Sequence, residues 1–232
     1  NGILIFPHTV EIIKDYAFHQ CTGISQLNLS YSLREIGSHA FEDCYNIYQD
    51  ITIPNLVTKI GDYAFSNSYN CRYLVFGRSV QYIGEQAFSY LKNCYGPLVL
   101  PDSVETIGNN SFYECPCFNY LRLGKNIKYI GDNAFYNCFG FNGLSQIPSK
   151  LETLGNYAFN NCSSMVCDVN IPNTVSYIGE YAFYNCKCMK TLKFGSKVNE
   201  TGRFAFAFCT GLTELSSLPD SLKIIGNSTF DG

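Results

Sequence analysis

The sequence predicts a solenoid of about ten stacked coils, each 23 or 24 residues long, with short parallel strands and otherwise loop, running through residues 1–232 as one unit. Three observations predict it. The phrase Ile-Gly-x-x-Ala-Phe recurs from end to end, and its phenylalanines are Phe18, Phe41, Phe65, Phe88, Phe112, Phe135, Phe159, Phe183, Phe206 and Phe230, every step being 23 or 24 residues. Two apolar columns keep the same interval, one eight residues before each Phe (Val10, Leu33, Val57 and onward) and one five before (Ile13, Ile36, Ile60 and onward). After each Phe comes an alternating apolar pair, such as Leu74 and Phe76 or Leu121 and Leu123. Period two places such a pair on one face of a strand.

Within one coil the elements follow in order. The column eight residues before Phe, with Ile or Leu three residues later, supplies the first inward side chains. Gly follows that Ile at Gly37, Gly61, Gly84, Gly108, Gly131, Gly155, Gly179, Gly202 and Gly226, with Lys14 in the first coil; glycine there suggests a tight or left-handed turn. Three residues past Phe stands Cys at Cys21, Cys44, Cys115, Cys138, Cys162, Cys186 and Cys209, a column that reads as small, buried, mostly free thiols. Cys71 and Cys94 fall six residues past Phe, in a neighbouring apolar column. The strand ends in Ile-Pro or Leu-Pro in the longer coils (Pro54, Pro101, Pro148, Pro172, Pro219) and in Gly in shorter ones (Gly77, Gly124, Gly195), residues that turn a chain out of a ladder.

Composition narrows the function. With 46% hydrophobic and 15% charged residues the chain is too apolar for disorder, and a formal charge of -3 excludes a broadly basic nucleic-acid binder. Apolar runs fall far short of the roughly 20 residues of a membrane span, and no basic-then-apolar secretory segment is present. No HExxH, phosphate loop or serine elbow occurs, so no enzyme, cofactor or metal is expected. His39 shares a column with Tyr16, Tyr63, Tyr157 and Tyr181, which favours packing over a metal or acid-base role.

The phrase Ile130-Gly131-Asp132-Asn133-Ala134-Phe135-Tyr136-Asn137-Cys138, repeated as Ile178-Gly179-Glu180-Tyr181-Ala182-Phe183-Tyr184-Asn185-Cys186, resembles the BspA-type leucine-rich repeats over nearly the whole chain. Lys14 and Thr201 depart from the pattern at Gly and Ile, and Ser68 and Leu91 depart at Cys. The resemblance implies a secreted or cell-surface leucine-rich repeat solenoid of bacteria or protozoan parasites, one that adheres to host proteins or cells. It brings no catalytic residue.

If the apolar strand pairs point inward, the residues between them point outward as one row: Asn28, Thr52, Val75, Val99, Arg122, Gln146, Asn170, Lys193 and Ser217. At roughly 4.8 Å per rung the row would run about 40 Å. A second candidate face carries Tyr82, Tyr129 and Tyr177, with Thr106 and Thr153 between them. Tyrosine suits an interface because its ring buries area while its hydroxyl stays polar. The expected function is a non-catalytic binding or adhesion module whose partner is a protein or glycan, such as a host-surface or extracellular-matrix component. The alternative is a structural spacer within a larger surface protein. The chain reads as a segment of a longer array, whose end coils offer edges for self-association.

Overall fold

A computed structural model of the chain describes residues 2–232 and shows ten coils wound into a parallel β-solenoid. The ten phenylalanines form one uninterrupted stack. Successive ring centroids lie 5.1–5.7 Å apart with interplanar angles of 3–13°. Between the end rings Phe18 and Phe230, all are buried beside the Val/Leu and Ile columns. No single coil can bury its apolar residues, so each depends on the coils above and below.

The unbroken sheet is not the one the apolar pairs predict. It is built from the Ile before each Gly and the residue preceding it: Ile12–Ile13, Glu35–Ile36, Lys59–Ile60, Tyr82–Ile83, Thr106–Ile107, Tyr129–Ile130, Thr153–Leu154, Tyr177–Ile178, Glu200–Thr201 and Ile224–Ile225 form ten parallel strands in chain order. Glycine follows these strands for a reason other than handedness. Glycines of this column do not adopt positive φ. A Cβ on Gly131 would lie 2.5 Å from Asn109 Oδ1 and 2.7 Å from Asn109 N, and one on Gly61 would lie 2.5 Å from Ser38 N. The column is glycine because backbones of adjacent coils meet there.

The left-handed residues lie elsewhere, two per coil, at two positions before and two after each Phe: Tyr63 (φ 57°) and Asn67 (φ 61°), Asn133 (54°) and Asn137 (58°), Tyr181 (53°) and Asn185 (59°), and so on. This alternation turns the amides of the segment toward the next coil. Asn133, Phe135 and Asn137 donate to the carbonyls of Asn156, Ala158 and Asn160 at 2.8, 2.8 and 2.9 Å, and the same three bonds recur up the stack. A stretch that reads as turn is a second backbone ladder. Asparagine is among the side chains that tolerate αL best, and here it gains more: Asn161 Nδ2 donates to Asn137 Oδ1 and Asn185 Nδ2 to Asn161 Oδ1, at 2.9 and 2.6 Å.

The alternation of coil lengths is also a matter of fit. A Cβ on Gly77, Gly124 or Gly195 would collide with the carbonyl of Pro54, Pro101 or Pro172, so a glycine-ended coil sits directly on a proline-ended one. Departures from the repeat are repaired locally. Thr201, in place of Ile, meets Thr229, in place of Ala, at 3.2 Å between hydroxyls, and Thr229 donates onward to Gly226 O.

Candidate functional site

The third side of each coil carries the apolar pairs, and here the ladder is broken into four short sheets. Gly2–Ile5 pairs with Ile24–Asn28, Ile51–Thr52 with Leu74–Val75, and Gly96–Val99 with Phe118–Arg122; Cys167–Asn170, Met189–Lys193 and Glu214–Leu215 form the fourth. Leu121 adds one bridge to Leu144. Thr52 pairs with Val75, Val99 with Arg122, and Asn170 with Lys193. The continuous row expected from the sequence is therefore corrected to pairs separated by breaks, with Gln146 and Ser217 outside any strand.

The third break has a local cause in Ser145, and Ser216 repeats the substitution at the end of the fourth sheet, where Glu214–Leu215 still pairs with Met189–Lys193. Ser145 and Ser216 occupy the inward position that Ile51, Leu98 and Val169 hold in other coils. A serine there turns its hydroxyl to the coil beneath. The amide of Leu123 donates to Ser145 Oγ at 2.9 Å and that of Phe194 to Ser216 Oγ at 3.3 Å. At the first break Gln49 Nε2 donates to Leu27 O (2.5 Å), a side chain standing in for a strand amide.

Hollows lie at the first and third breaks and at the end of the fourth sheet, and the outer row lines them. One, of about 550 Å³, is bordered by Asn28, Thr52, Tyr31, Asp50 and Arg72. A second, of about 430 Å³, holds Arg122, Gln146 and Lys125; a third, of about 370 Å³, holds Gln146, Asn170 and Lys190; a fourth, of about 530 Å³, holds Lys193, Ser217 and Ser216. Between the first and second stand Val75 and Val99, 48% and 40% exposed. Seven of the nine row residues thus border a hollow, and the other two are its exposed apolar centre. Arg122 is not a free charge: it bonds Asp102 Oδ1 and Leu100 O, both at 3.2 Å. Lys193 has no ion-pair partner among the described residues.

Tyr82, Tyr129 and Tyr177 lie on the ten-stranded sheet, each 37% exposed, with Thr106 and Thr153 on the rungs between them. Partial burial raises the Tyr82 and Tyr177 phenols above their ordinary 10.0, so they remain neutral donors. The column that the sequence reads as packing, two residues before Phe, forms a third aromatic surface at left-handed positions. His39 is sandwiched between Tyr16 and Tyr63 (centroids 4.4 and 4.8 Å), with Nδ1 2.7 Å from Glu42 Oε2, and Tyr181 stacks between Tyr157 and Phe204 at 4.7 and 5.0 Å. The one signal for it was Tyr recurring two residues before Phe.

All twelve cysteines are free, and nine are buried. Among the described residues, no group of three or more His, Cys, Asp or Glu is arranged to hold a metal, and no helix is long and apolar enough to cross a membrane.

The model of the BspA type leucine rich repeat region matches residues 3–96, 93–167 and 166–232, almost the whole chain. The chain belongs to the BspA-type leucine-rich repeat family. Solved structures agree on the fold. A leucine-rich repeat protein from Bacteroides ovatus is 25% identical with a TM-score of 0.63, over 98% of this chain and 69% of that one. The T. pallidum leucine rich repeat protein is 28% identical with a TM-score of 0.65, over 70% of this chain and 77% of that one. The pneumococcal vaccine antigen PcpA, 22% identical with a TM-score of 0.60, shares the fold over 95% of this chain and 57% of its own. No curated protein is significantly similar in sequence. In this BspA-type array the sequence-predicted outer row and the hollows coincide on the broken-strand side, while the tyrosine row belongs to the unbroken sheet.

Proposed function

We propose that this BspA-type array is a non-catalytic recognition module of a cell-surface or secreted protein, an adhesin whose broken-strand side grips a protein or glycan partner. The observation that carries the reading is the coincidence of the outer row with four hollows around an exposed Val75 and Val99. Hollows give shape to a surface that an unbroken ladder would leave flat, and an apolar centre with a polar rim is the anatomy of an interface. The stacked rings and backbone ladders beneath hold that surface rigid, which lowers the ordering cost of binding. Membership in the BspA-type family is consistent with display outside the cell.

The test is a binding screen of the folded chain against extracellular-matrix proteins, host cells and glycans, repeated with Val75→Glu/Val99→Glu. Both side chains are exposed, so the melt is expected to stay unchanged while capture falls by at least about tenfold, or ~1.4 kcal/mol. Full capture by the variant rejects Val75 and Val99 as the contact centre. Absence of any saturable partner supports a structural spacer instead.

A further inference from the structure

Lysine is unevenly matched with acid along the array. Eight of the sixteen Lys and Arg residues form ion pairs, several of them stitching one coil to the next, as Lys59 to Glu35 (3.0 Å), Lys128 to Glu105 (2.8 Å) and Arg203 to Glu180 (2.9 Å) do. Of the other eight, four fall in a single coil: Lys187, Lys190, Lys193 and Lys197. No Asp or Glu occurs from Tyr181 to Asn199, all four lysines are exposed, and none has an ion-pair partner among the described residues. Asp168, Glu214 and Asp220 lie on the adjoining coils, yet none of them forms an ion pair. Asp168 instead takes a bond from Thr191 Oγ1 at 2.9 Å.

The four lysines cross the broken-strand side at right angles to the stack. Lys190 and Lys193 lie on the strand Met189–Lys193, and Lys187 and Lys197 stand beyond its two ends. Hollows flank the ridge: Lys190 borders one with Gln146 and Asn170, and Lys193 borders the other with Ser216, Ser217 and Asn173. We infer that this coil binds a linear acidic polysaccharide, its charged groups on the lysines and its hydroxyls in the two hollows. The inference rests on the reading of this side as the recognition surface and names the ligand class for its C-terminal part.

Spacing argues for a polymer. Lys190 and Lys193 are three residues apart on one strand, roughly 10 Å along extended chain, and Lys187 and Lys197 continue the row from the turns beyond it, an arrangement suited to successive charges on a polymer rather than to one small anion. Lysine, a point charge without the planar fork of arginine, fits sulfate or carboxylate groups met in varied orientations. The hollows argue for sugar over nucleic acid. They present hydroxyl and amide groups and one carboxylate each, Asp168 and Asp220, which accept from sugar hydroxyls, and the one aromatic ring there, Phe194, is packed edge-on against Phe206 at 5.9 Å, so it offers no platform for a stacked base.

The experiment measures binding of a fluorescein-labelled heparin oligosaccharide to the full chain over a salt series, with neutral dextran and single-stranded DNA as comparators. Lys190→Ala/Lys193→Ala is expected to weaken heparin binding by at least about tenfold and to lower the salt slope by roughly one per lysine. The pair Lys14→Ala/Arg78→Ala, equal in charge change but on other coils, is expected to alter it by less than about twofold. Equal loss in both pairs, equally tight binding of the DNA, or no heparin binding overturns the inference. Failure here alongside Val75- and Val99-dependent capture of another partner overturns only the ligand class, whereas failure of both overturns the recognition side itself.

Discussion

Cys138 donates its thiol hydrogen to Phe112 O at 3.1 Å, and the same bond runs from Cys44, Cys115, Cys162, Cys186 and Cys209 to the Phe carbonyl of an earlier coil at 3.1–3.3 Å. Ser68, which replaces cysteine in its coil, makes this bond with a hydroxyl to Phe41 O at 3.3 Å. A buried donor of small volume is thus what the position selects. Cys138→Ser is expected to keep about 0.5–1.5 kcal/mol more stability than Cys138→Ala, read from urea midpoints at equal m; equal losses contradict a donor role. Burial also pushes the Cys44, Cys167 and Cys209 thiols up from 9.0 to about 12. Their folded-state values lie above the unfolded ones, so this contribution to stability is complete below about pH 9 and is lost as pH rises toward about 12. Melts across that window should show a steady fall in midpoint, and a flat profile contradicts buried protonated thiols.

At the scale of the element, close approach of backbones governs which residues a strand end accepts. Gly131→Ala places a methyl against the coil below and is expected to cost about 1–3 kcal/mol, the range for an overfilled site. Gly23 has nothing within 4 Å of an added Cβ, so Gly23→Ala is expected to be neutral within about 1 kcal/mol; thermal melts of the two variants compare them directly. The Phe, Ile and Cys columns were legible because each repeats a buried side chain at constant spacing. Strands such as Thr106–Ile107 were not, because two residues with one inward side chain carry no period. The left-handed ladder hid behind varied occupants, Tyr63, Gln86 and Phe204 among them, although Asn67, Asn137, Asn161 and Asn185 were its trace. Nor did spacing show that the outer row would break, though Ser145 in an apolar column carried that information at one break. Those same breaks supply three of the four hollows of the candidate site, so what was least legible is what shapes the surface.

Across the described residues, one sheet of ten strands, one ladder through the Phe segments and a column of ten rings tie every coil to its neighbours, while the strands of the broken side are left discontinuous. Rigidity on two sides supports a third that is free to vary from coil to coil, which is how a repeat with one core presents different chemistry at Val75 and at Lys193. The most direct test is amide hydrogen exchange, followed residue by residue by NMR. Asn133, Phe135 and Asn137 should exchange as slowly as Gly131, whose amide bonds Ile107 O at 2.9 Å within the unbroken sheet. Exchange of those three amides at the rate of an unstructured turn would contradict the stacked coils on which the recognition surface stands.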